Sequence, residues 1–323
     1  MKKLFIPMIS LLSVASLAGC NSTKYSNLQI ACPSGAPALS LYDIHSQSNI
    51  EINADANNVA AYLSSDSDKD IVIAPTNLIV GKVMKDNAPF KLAAVITAGN
   101  FFIASTGNDD NDTFDNDDYI VLFQQNGLPD RLFKYVYGTE YSNLKYVTAA
   151  SDAAKCLISG KNEADNNATV EYVLVPQPAL TPALAKAKEN RPTLAEKIKI
   201  TKNIQADYYA KTGDSKITQA SIFVKNTEDE KKIKEITEFL EDTESKINSL
   251  LEDSNKLDSL SSLEDTDLTL KFGAPNLTIL KKVVSDNSLN LTYKNGKDEK
   301  GAIDKFLKNL GFTNADTSEN LYW

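Results

Sequence analysis

The sequence predicts an α/β fold in which two lobes enclose a cleft. Apolar segments of strand length alternate with helical patterns along most of the chain, which is typical of layered α/β proteins. Three of these strands run into a short, turn-rich loop and then into a helix. The length of 323 residues allows two domains, each with its own core.

The first strand–loop–helix unit lies at residues 28–41, with the sequence LQIACPSGAPALSL. An apolar run to Cys32 precedes a cluster of breakers at 33–37, and a helix is expected from Ala38. Such a loop leaves backbone N–H groups free at the positive end of the helix dipole. In open α/β sheets these loops hold ligands, although an ordinary strand–helix connection has the same pattern.

The same pattern occurs twice more along the chain. The second unit has a buried strand at 70–74, a loop at 75–77 and a helix at 78–84. The third unit has a strand at 119–123, a loop at 124–129 and a helix at 130–136. The repetition favours one cleft onto which all three loops open.

Two breaks in apolar strands predict where the chain crosses between the lobes. They lie at residues 97–100 and 175–178. The predicted organisation assigns residues 25–99 and 177–312 to lobe 1, residues 101–175 to lobe 2, and residues 313–323 to a polar tail.

Residues 228–263 are expected to form a charged helical insert in lobe 1. Apolar residues fall on one face of this segment, namely Ile233, Ile236, Leu240, Ile247 and Leu251. The pattern fits either the partner helix of a coiled coil or a pair of helices packed on the parent domain.

An acidic stretch, NDDNDTFDNDD at residues 108–118, is similar to a calcium-binding loop. It lacks the glycine at the sixth position and the glutamate at the twelfth that an EF-hand loop needs. We therefore expect a solvated, flexible hairpin tip without a metal site.

Composition excludes several classes of function. The formal net charge is −9 and the chain has only two arginines, Arg131 and Arg191, which argues against a nucleic-acid partner. His45 is the single histidine, and neither a Gly-x-Ser-x-Gly elbow nor a Gly-x4-Gly-Lys loop is present. We expect neither an enzyme nor a bound cofactor.

The N-terminus carries the features of an export signal. An apolar segment at residues 4–18 is short for a bilayer-spanning helix, and it runs into LAGC at 17–20. This tetrapeptide resembles the bacterial lipoprotein signal-peptidase site. Residues 1–19 are then a lipoprotein signal peptide, Cys20 carries the lipid that anchors the protein in the bilayer, and 20–27 form a tether. A plain secretory signal with a chance cysteine is the alternative.

Two further cysteines, Cys32 and Cys156, lie in an apolar strand and an apolar helix. An exported protein permits a disulfide between them, but two buried thiols fit the surrounding sequence better. The cysteines have no spacing typical of a metal site.

The ordered series of loop motifs resembles one known family. The motifs are PSGAPAL at 33–39, IAPTNL at 73–78, VITAGN at 95–100, residues 124–136, and residues 159–161 with YVLVPQP at 172–178. The series is similar to type II periplasmic solute-binding proteins of ABC importers, in the nitrate, taurine and thiamine-precursor group. Similarity spans residues 28–225 and, more weakly, 272–312. Val175 replaces the glutamate that the family usually has before the second-crossover proline.

The resemblance implies a two-lobed type II periplasmic-binding-protein fold and a function in transport. A lipoprotein on the outer side of the bacterial cell membrane would capture a small molecule between its lobes and deliver it to an ABC-type permease. An alternative is a surface lipoprotein that keeps the fold, fills its cleft with its own side chains and binds a macromolecule.

The ligand contacts that the resemblance implies come from the cleft loops. They are Ser34, Gly35, Ala36, Thr76, Asn77, Thr97, Asn100, Gln125, Asn126, Gly127 and Gln177. Backbone N–H groups and small polar side chains can hold an anion or hydrogen-bond a neutral heterocycle. Phe101 or Phe102 can stack on a ring or belong to the core. Neither arginine falls in these loops, which disfavours a bidentate clamp on a carboxylate or sulfonate.

Overall fold

The computed structural model describes residues 24–111, 113–213, 216–313 and 315–323. The expected signal peptide and Cys20, the expected lipidation site, lie outside these ranges. Among the described residues, no helix has both the length and the apolar character needed to cross a membrane.

Thirteen strands form two main sheets and a small hairpin within the described residues. In chain order they are β1 (Ile30–Pro33), β2 (Ile50–Asn53), β3 (Ile71–Pro75), β4 (Phe90–Thr97), β5 (Phe101–Ser105), β6 (Tyr119–Phe123), β7 (Asn143–Val147), β8 (Lys161–Asn162), β9 (Ala168–Thr169), β10 (Tyr172–Pro176), β11 (Lys199–Asn203), β12 (Ala220–Lys225) and β13 (Leu291–Asn295). The first sheet has the order β13-β4-β12-β3-β1-β2, and the second has the order β11-β5-β10-β6-β7. Strands β8 and β9 form the hairpin.

The α-helices of the described chain cover the faces of both sheets. They are α1 (Ala56–Ala61), α2 (Leu128–Tyr137), α3 (Ala150–Ser159), α4 (Leu180–Asn190), α5 (Ile204–Thr212), α6 (Glu230–Glu252), α7 (Asp265–Phe272), α8 (Leu277–Ser285) and α9 (Lys300–Asn309). The first two predicted loops open shorter elements, a 3-10 helix at Ala36–Leu41 and a π-helix at Ile79–Lys85.

The first sheet is buried on both faces. Successive residues of β3 show this, because Ile71 and Ile73 pack into one apolar core while Val72 and Ala74 pack into another. The sheet is mixed, with β1 parallel to β2 and β3 and with β12 antiparallel to β3 and β4. Continuous apolar strands of this kind are expected where a sheet is covered on both sides. A third core surrounds the second sheet, so each sheet has apolar packing of its own.

The chain crosses between the sheets at two places. The first crossing joins β4 to β5 through residues 98–100, as predicted. The second runs from β11 through α5 to β12, and the predicted crossing at residues 175–178 is therefore wrong. After β10 the chain continues into α4, whose Leu180 and Ala183 pack into the core of the second sheet. The assignment of residues from 177 onward to lobe 1 fails up to the end of β11 for this reason.

The charged insert packs on its parent domain. The apolar face of α6 is buried in a core of the first sheet through Ile236, Phe239, Leu240, Ile247 and Leu250. The α-helix ends at Glu252, and a 3-10 helix at Ser254–Leu260 follows.

The last residues of the expected polar tail pack against the first sheet. Tyr322 is 2% exposed, and its hydroxyl lies 2.7 Å from the Thr317 hydroxyl. The backbone N–H of Trp323 donates to the Leu92 carbonyl at 3.1 Å. The segment packs because Tyr322 enters one core beside the first sheet and Trp323 packs against the other.

The acidic stretch at 108–118 is not a solvated hairpin tip. Phe114 forms ring contacts with four aromatic side chains, Phe133, Tyr137, Tyr141 and Tyr172. Asp109 and Asp118 are buried, and Asp109 accepts a hydrogen bond from the Tyr172 hydroxyl at 2.6 Å. One aromatic residue among ten polar ones fixes the segment to the second core.

Cys32 and Cys156 are free, buried thiols. Burial raises the pKa of both groups above that of an exposed cysteine, to about 11 for Cys156. Both are therefore protonated at neutral pH, which makes them poor nucleophiles and poor metal ligands.

Candidate ligand-binding cleft

A cavity of about 540 Å³ lies where the two sheets meet. Its wall includes the last residues of several strands, namely Pro33 of β1, Pro75 of β3, Phe123 of β6 and Pro176 of β10. Thr148, directly after β7, completes this edge. Ligands of open α/β sheets bind at the carboxyl ends of strands, so the topology makes this cavity the candidate site.

Small side chains keep the cavity open. Alanine and proline make up half of its lining residues. Two phenylalanines, Phe101 and Phe123, lie at the wall with ring centroids 6.0 Å apart, but both are more than nine-tenths buried. Phe102 does not line the cavity. The cavity wall therefore presents mainly the apolar surface of small side chains.

Five of the eleven predicted ligand residues line the cavity, namely Ser34, Gly35, Ala36, Asn100 and Gln177. The other six, Thr76, Asn77, Thr97, Gln125, Asn126 and Gly127, are not part of its wall.

Hydrogen bonds within the protein occupy the hydroxyl groups of the two threonines that were predicted to contact the ligand. Thr76 is fully buried, and its hydroxyl lies 2.7 Å from the Ser221 hydroxyl. The Thr97 hydroxyl accepts a hydrogen bond from the backbone N–H of Ala220 at 3.1 Å. The side-chain oxygen of Asn77 is also buried, and no described residue donates to it.

The loop after β6 directs its side chains away from the cavity. Gln125 and Asn126 are exposed, whereas the neighbouring Gln124 lines the wall. Positive φ angles at Gln124 (57°) and Asn126 (62°) turn the chain at this point. The direction of these side chains thus follows from a local backbone conformation that the sequence pattern does not show.

The backbone N–H groups of the three predicted loops are largely used by the protein itself. Ser34 donates to the Asn53 carbonyl at 2.9 Å, and Gly35 donates to the Lys271 carbonyl at 3.0 Å. Thr76 donates to the Gln219 carbonyl at 3.0 Å, and Asn126 donates to an Asp130 carboxylate oxygen at 2.8 Å. These loops hold the fold together and offer few donors to a ligand.

Asn100 connects the segments that meet at the base of the cleft. Its side-chain amide donates to the Gln177 carbonyl at 2.6 Å, and its side-chain oxygen accepts from Gln219 at 2.8 Å. Its backbone carbonyl also accepts from the Gln177 N–H at 2.9 Å. Since these groups already have partners, Asn100 contributes to the wall as a structural residue.

The N-terminus of α3 is the part of the site that sequence analysis missed. Ala149, Ala150 and Ser151 line the cavity, and no side chain caps this helix. The N–H groups of Ala150 and Ser151 donate to no residue that the structure describes. A fourth strand–loop–helix unit is present here, with a strand at 143–147, small residues after it and then a helix. This pattern is visible in the sequence and could have identified this part of the site.

The cavity wall carries one residue of each charge. Asp55 caps α1 by accepting from the Asn57 N–H at 2.8 Å. Lys186 of α4 is exposed and forms no ion pair with any residue in the described ranges. Lys186 and the free N–H groups at the start of α3 therefore place donors on the side of the second sheet.

Solved structures of transport proteins share this architecture. An ABC transporter protein from Parabacteroides distasonis is 14% identical, with 89% of this chain and 92% of that chain covered and a TM-score of 0.63. The periplasmic aliphatic sulphonate binding protein of Escherichia coli is 15% identical, covers 92% and 91%, and has a TM-score of 0.60. The periplasmic nitrate-binding protein of Synechocystis PCC 6803 is 12% identical, covers 91% and 83%, and has a TM-score of 0.57.

The chain has the fold of the periplasmic solute-binding proteins. The two-lobed α/β class predicted from the sequence is thereby confirmed, as is the structural resemblance to this group. Neither a protein-family model nor a curated protein matches the sequence. At these levels of identity the likeness establishes the fold, and function must be argued from the cleft.

One group of acidic side chains outside the cleft has the geometry to hold a cation. Carboxylate oxygens of Asp109, Asp118 and Glu171 lie within 4.8 Å of one another. Burial is the main cause that raises the pKa of Asp118 to about 6; the charges of Asp115, Asp109 and Glu171 act in the same direction, and a hydrogen bond from the Asp115 N–H opposes them. Since Tyr172 and backbone groups already donate to these carboxylates, the cluster serves first to fix the acidic segment.

His45, the single histidine, lies away from the cleft. Its ring packs edge-on against Phe272, and its Nδ1 lies 3.2 Å from the Lys271 ammonium. Burial lowers its pKa, and Lys271 lowers it further. The described wall of the cavity contains neither histidine nor cysteine.

Proposed function

We propose that the protein is a membrane-anchored solute-binding lipoprotein, which captures a small molecule between its two sheets and delivers it to an ABC-type permease. The observation that carries this proposal is the 540 Å³ cavity at the carboxyl ends of strands from both sheets. A volume of this size accommodates a small organic molecule. Structural neighbours named as sulphonate-binding and nitrate-binding proteins support the same function.

The chemistry of the wall favours a small molecule with one polar and one apolar part. The free N–H groups at the start of α3, together with Lys186, suit a group that accepts hydrogen bonds. Alanine and proline side chains suit an apolar remainder. Neither Arg131 nor Arg191 lines the cavity, so a bidentate guanidinium contact is not part of the proposal.

The alternative of a lipoprotein scaffold predicts a cleft filled by the protein's own side chains. The cavity is open instead, because its wall is built of small residues. The binding function is therefore the better supported of the two, and no catalytic step is proposed for a wall that lacks histidine and cysteine in its described part.

Membrane anchoring is the second part of the proposal. Its support is the LAGC tetrapeptide at residues 17–20 after a short apolar segment. Two acyl chains on Cys20 provide about the affinity that stable anchoring requires. Cys20→Ser should release the protein from the membrane fraction or leave the precursor uncleaved, whereas a variant that is still processed and still membrane-bound contradicts this part.

A thermal-shift screen of the protein shortened to begin at residue 24 tests the binding function. The panel contains sulfonates, nitrate, pyrimidine thiamine precursors and related heterocycles. A ligand at a hundred times its dissociation constant stabilises the folded state by about 2.7 kcal/mol. Each kcal/mol of this stabilisation should raise Tm by about 2–4 °C for a domain of this size.

Matched variants locate the binding of any compound found in this way. Lys186→Ala should reduce the shift, whereas Lys188→Ala should leave it unchanged, because Lys188 is an exposed residue of the same helix outside the cavity wall. Equal shifts for wild type and both variants would remove Lys186 from the site.

A further inference from the structure

A second cavity, of about 400 Å³, lies between α6 and β13. We call it the α6–β13 groove. None of its lining residues lines the cleft, so the two cavities are separate. Its wall includes Leu240, Glu241 and Glu244 of α6, Tyr293 of β13, and Asp298 and Trp323.

Apolar and aromatic side chains provide surface in this groove. Ala93 and Leu240 are buried, and the rings of Tyr293 and Trp323 pack against the same core while remaining partly exposed. Burial raises the pKa of the Tyr293 phenol, and the charges of Glu244 and Glu241 raise it further. The phenol is thus neutral at physiological pH, and a neutral aromatic ring attracts a cation to its face.

Three carboxylates in the groove lack a cationic partner among the described residues. These are Glu241 and Glu244 on α6 and Asp298 after β13, while Glu299 lies 3.3 Å from the Lys216 ammonium. The next carboxylate on α6 is paired, because Asp242 lies 2.7 Å from both Lys24 and Lys246. Lys294 is the one basic residue in the described lining. The groove therefore has an excess of negative charge, and this excess lies on the α6 wall, because Lys294 balances Asp298 on the β13 wall.

We propose that the α6–β13 groove binds a small aliphatic amine with two or more ammonium groups. The volume of about 400 Å³ is that of a small-molecule site. Two unpaired carboxylates on α6 and a third after β13 outnumber the one lysine of the groove, which favours a ligand with more than one cationic centre. The rings of Tyr293 and Trp323 contribute cation–π attraction and cover the aliphatic chain. This site is independent of the solute cleft.

Isothermal titration calorimetry with spermidine and with 1-butylamine tests the proposal. Spermidine should bind with a stoichiometry of one and at least ten times more tightly than the monoamine. Its affinity should fall as salt is raised, because Glu241, Glu244 and Asp298 are exposed. A chain as acidic as this one, with a net charge of −9, can also attract polyamines without a defined site.

Two double variants, each of which removes two negative charges, distinguish a defined site in the groove from attraction by the overall charge. Glu241→Gln with Glu244→Gln should weaken spermidine binding at least tenfold. Glu230→Gln with Glu252→Gln removes the same charge from exposed positions of the same helix outside the groove, and should weaken binding less than twofold. Equal effects of the two pairs would show attraction by the overall charge and overturn the proposal.

The aromatic contribution has its own variant. Tyr293→Leu keeps an apolar side chain against α6 but removes the ring, and it should weaken spermidine binding several-fold while the circular dichroism spectrum is unchanged. Unchanged affinity in this variant overturns the assignment of the site to the groove. Binding of a lysine-rich peptide in the absence of any spermidine binding also overturns it, in favour of a protein partner.

Discussion

The guanidinium of Arg131 lies 4.6 Å from the ring centroid of Phe312. Arg131 belongs to α2 beside the second sheet, and Phe312 follows α9. The same side chain donates to the Leu310 carbonyl at 3.3 Å and to the Asn126 carbonyl at 3.0 Å. One arginine therefore connects a loop of the second sheet to the end of a helix that begins on the first.

Helix α9 contributes to the cores of both sheets. Ile303 and Leu307 pack beside the first sheet, whereas Phe306 and Leu310 pack into the core of the second. The Asn309 side chain also donates to the Tyr208 hydroxyl at 2.8 Å. The two sheets are thus joined by shared apolar packing as well as by the two chain crossings.

Arg131→Ala should lower the free energy of unfolding by about 1–2 kcal/mol, because it removes the contact with Phe312 and two hydrogen bonds. Arg131→Lys keeps the charge but loses the planar contact, and should recover only part of the loss. Urea unfolding followed by tryptophan fluorescence measures both variants. Full recovery in the lysine variant would assign the effect to charge alone.

Asn100→Ala should destabilise the protein by about 2–3 kcal/mol. The substitution leaves the Gln177 carbonyl and the Gln219 side chain without their buried partner. Gln125→Ala is the control, since Gln125 is exposed, and its effect should stay within about 0.5 kcal/mol. Denaturant midpoints that are equal for the two variants would contradict the structural role of Asn100.

Phe114→Ala should destabilise the protein by about 2–4 kcal/mol, because its ring contacts four others. A solvated hairpin tip, which the sequence alone predicts for residues 108–118, could instead be removed without effect on folding. Differential scanning calorimetry of Phe114→Ala and of a deletion with a glycine linker distinguishes the two views. Unchanged melting in both proteins would restore the hairpin-tip interpretation.

Asp118 should make stability fall as the pH rises. Its pKa is about 6 in the folded protein against an ordinary value of 3.8, so the folded state binds a proton more tightly than the unfolded state does. The resulting stabilisation is present below about pH 4 and is lost as the pH rises through 6.

Asp118→Asn should remove this dependence and stabilise the protein at pH 7.5 by about 1–2 kcal/mol relative to wild type. Asp117→Asn, at an exposed neighbouring position, should not. Urea unfolding at pH 4, 5, 6 and 7.5 measures the slope. If the free energy of unfolding changes by the same amount between pH 4 and 7.5 in wild type and in both variants, the assignment of the pH dependence to Asp118 is wrong.

The sequence predicted the strands well where burial is complete. The apolar runs at β3, β4, β6 and β10 are strands in the structure because their side chains have no solvent-exposed face. Strand β11, KITKN, is mostly polar and exposed, so no apolar run marked it as part of the second sheet. The prolines after β10 showed that a strand ends, but they do not indicate which sheet the chain joins next.

The site was less predictable than the fold because partners distant in sequence decide which groups are free. The Thr76 hydroxyl is taken by Ser221, and the Asn100 side chain by Gln219. These partners lie 145 and 119 residues further along the chain, so no local pattern reveals them. The helix start at Ala150, which has no such partner among the described residues, was visible locally as a strand–loop–helix unit.

Native mass spectrometry of the soluble protein, equilibrated with a compound that stabilises it, tests the cleft most directly. Ala150→Trp places a large side chain in the cavity, and Ala185→Trp places the same side chain at an exposed site on α4 outside it. The account predicts a one-to-one complex for wild type and Ala185→Trp, and none for Ala150→Trp. An equally abundant complex in all three proteins would contradict a ligand site between the two sheets.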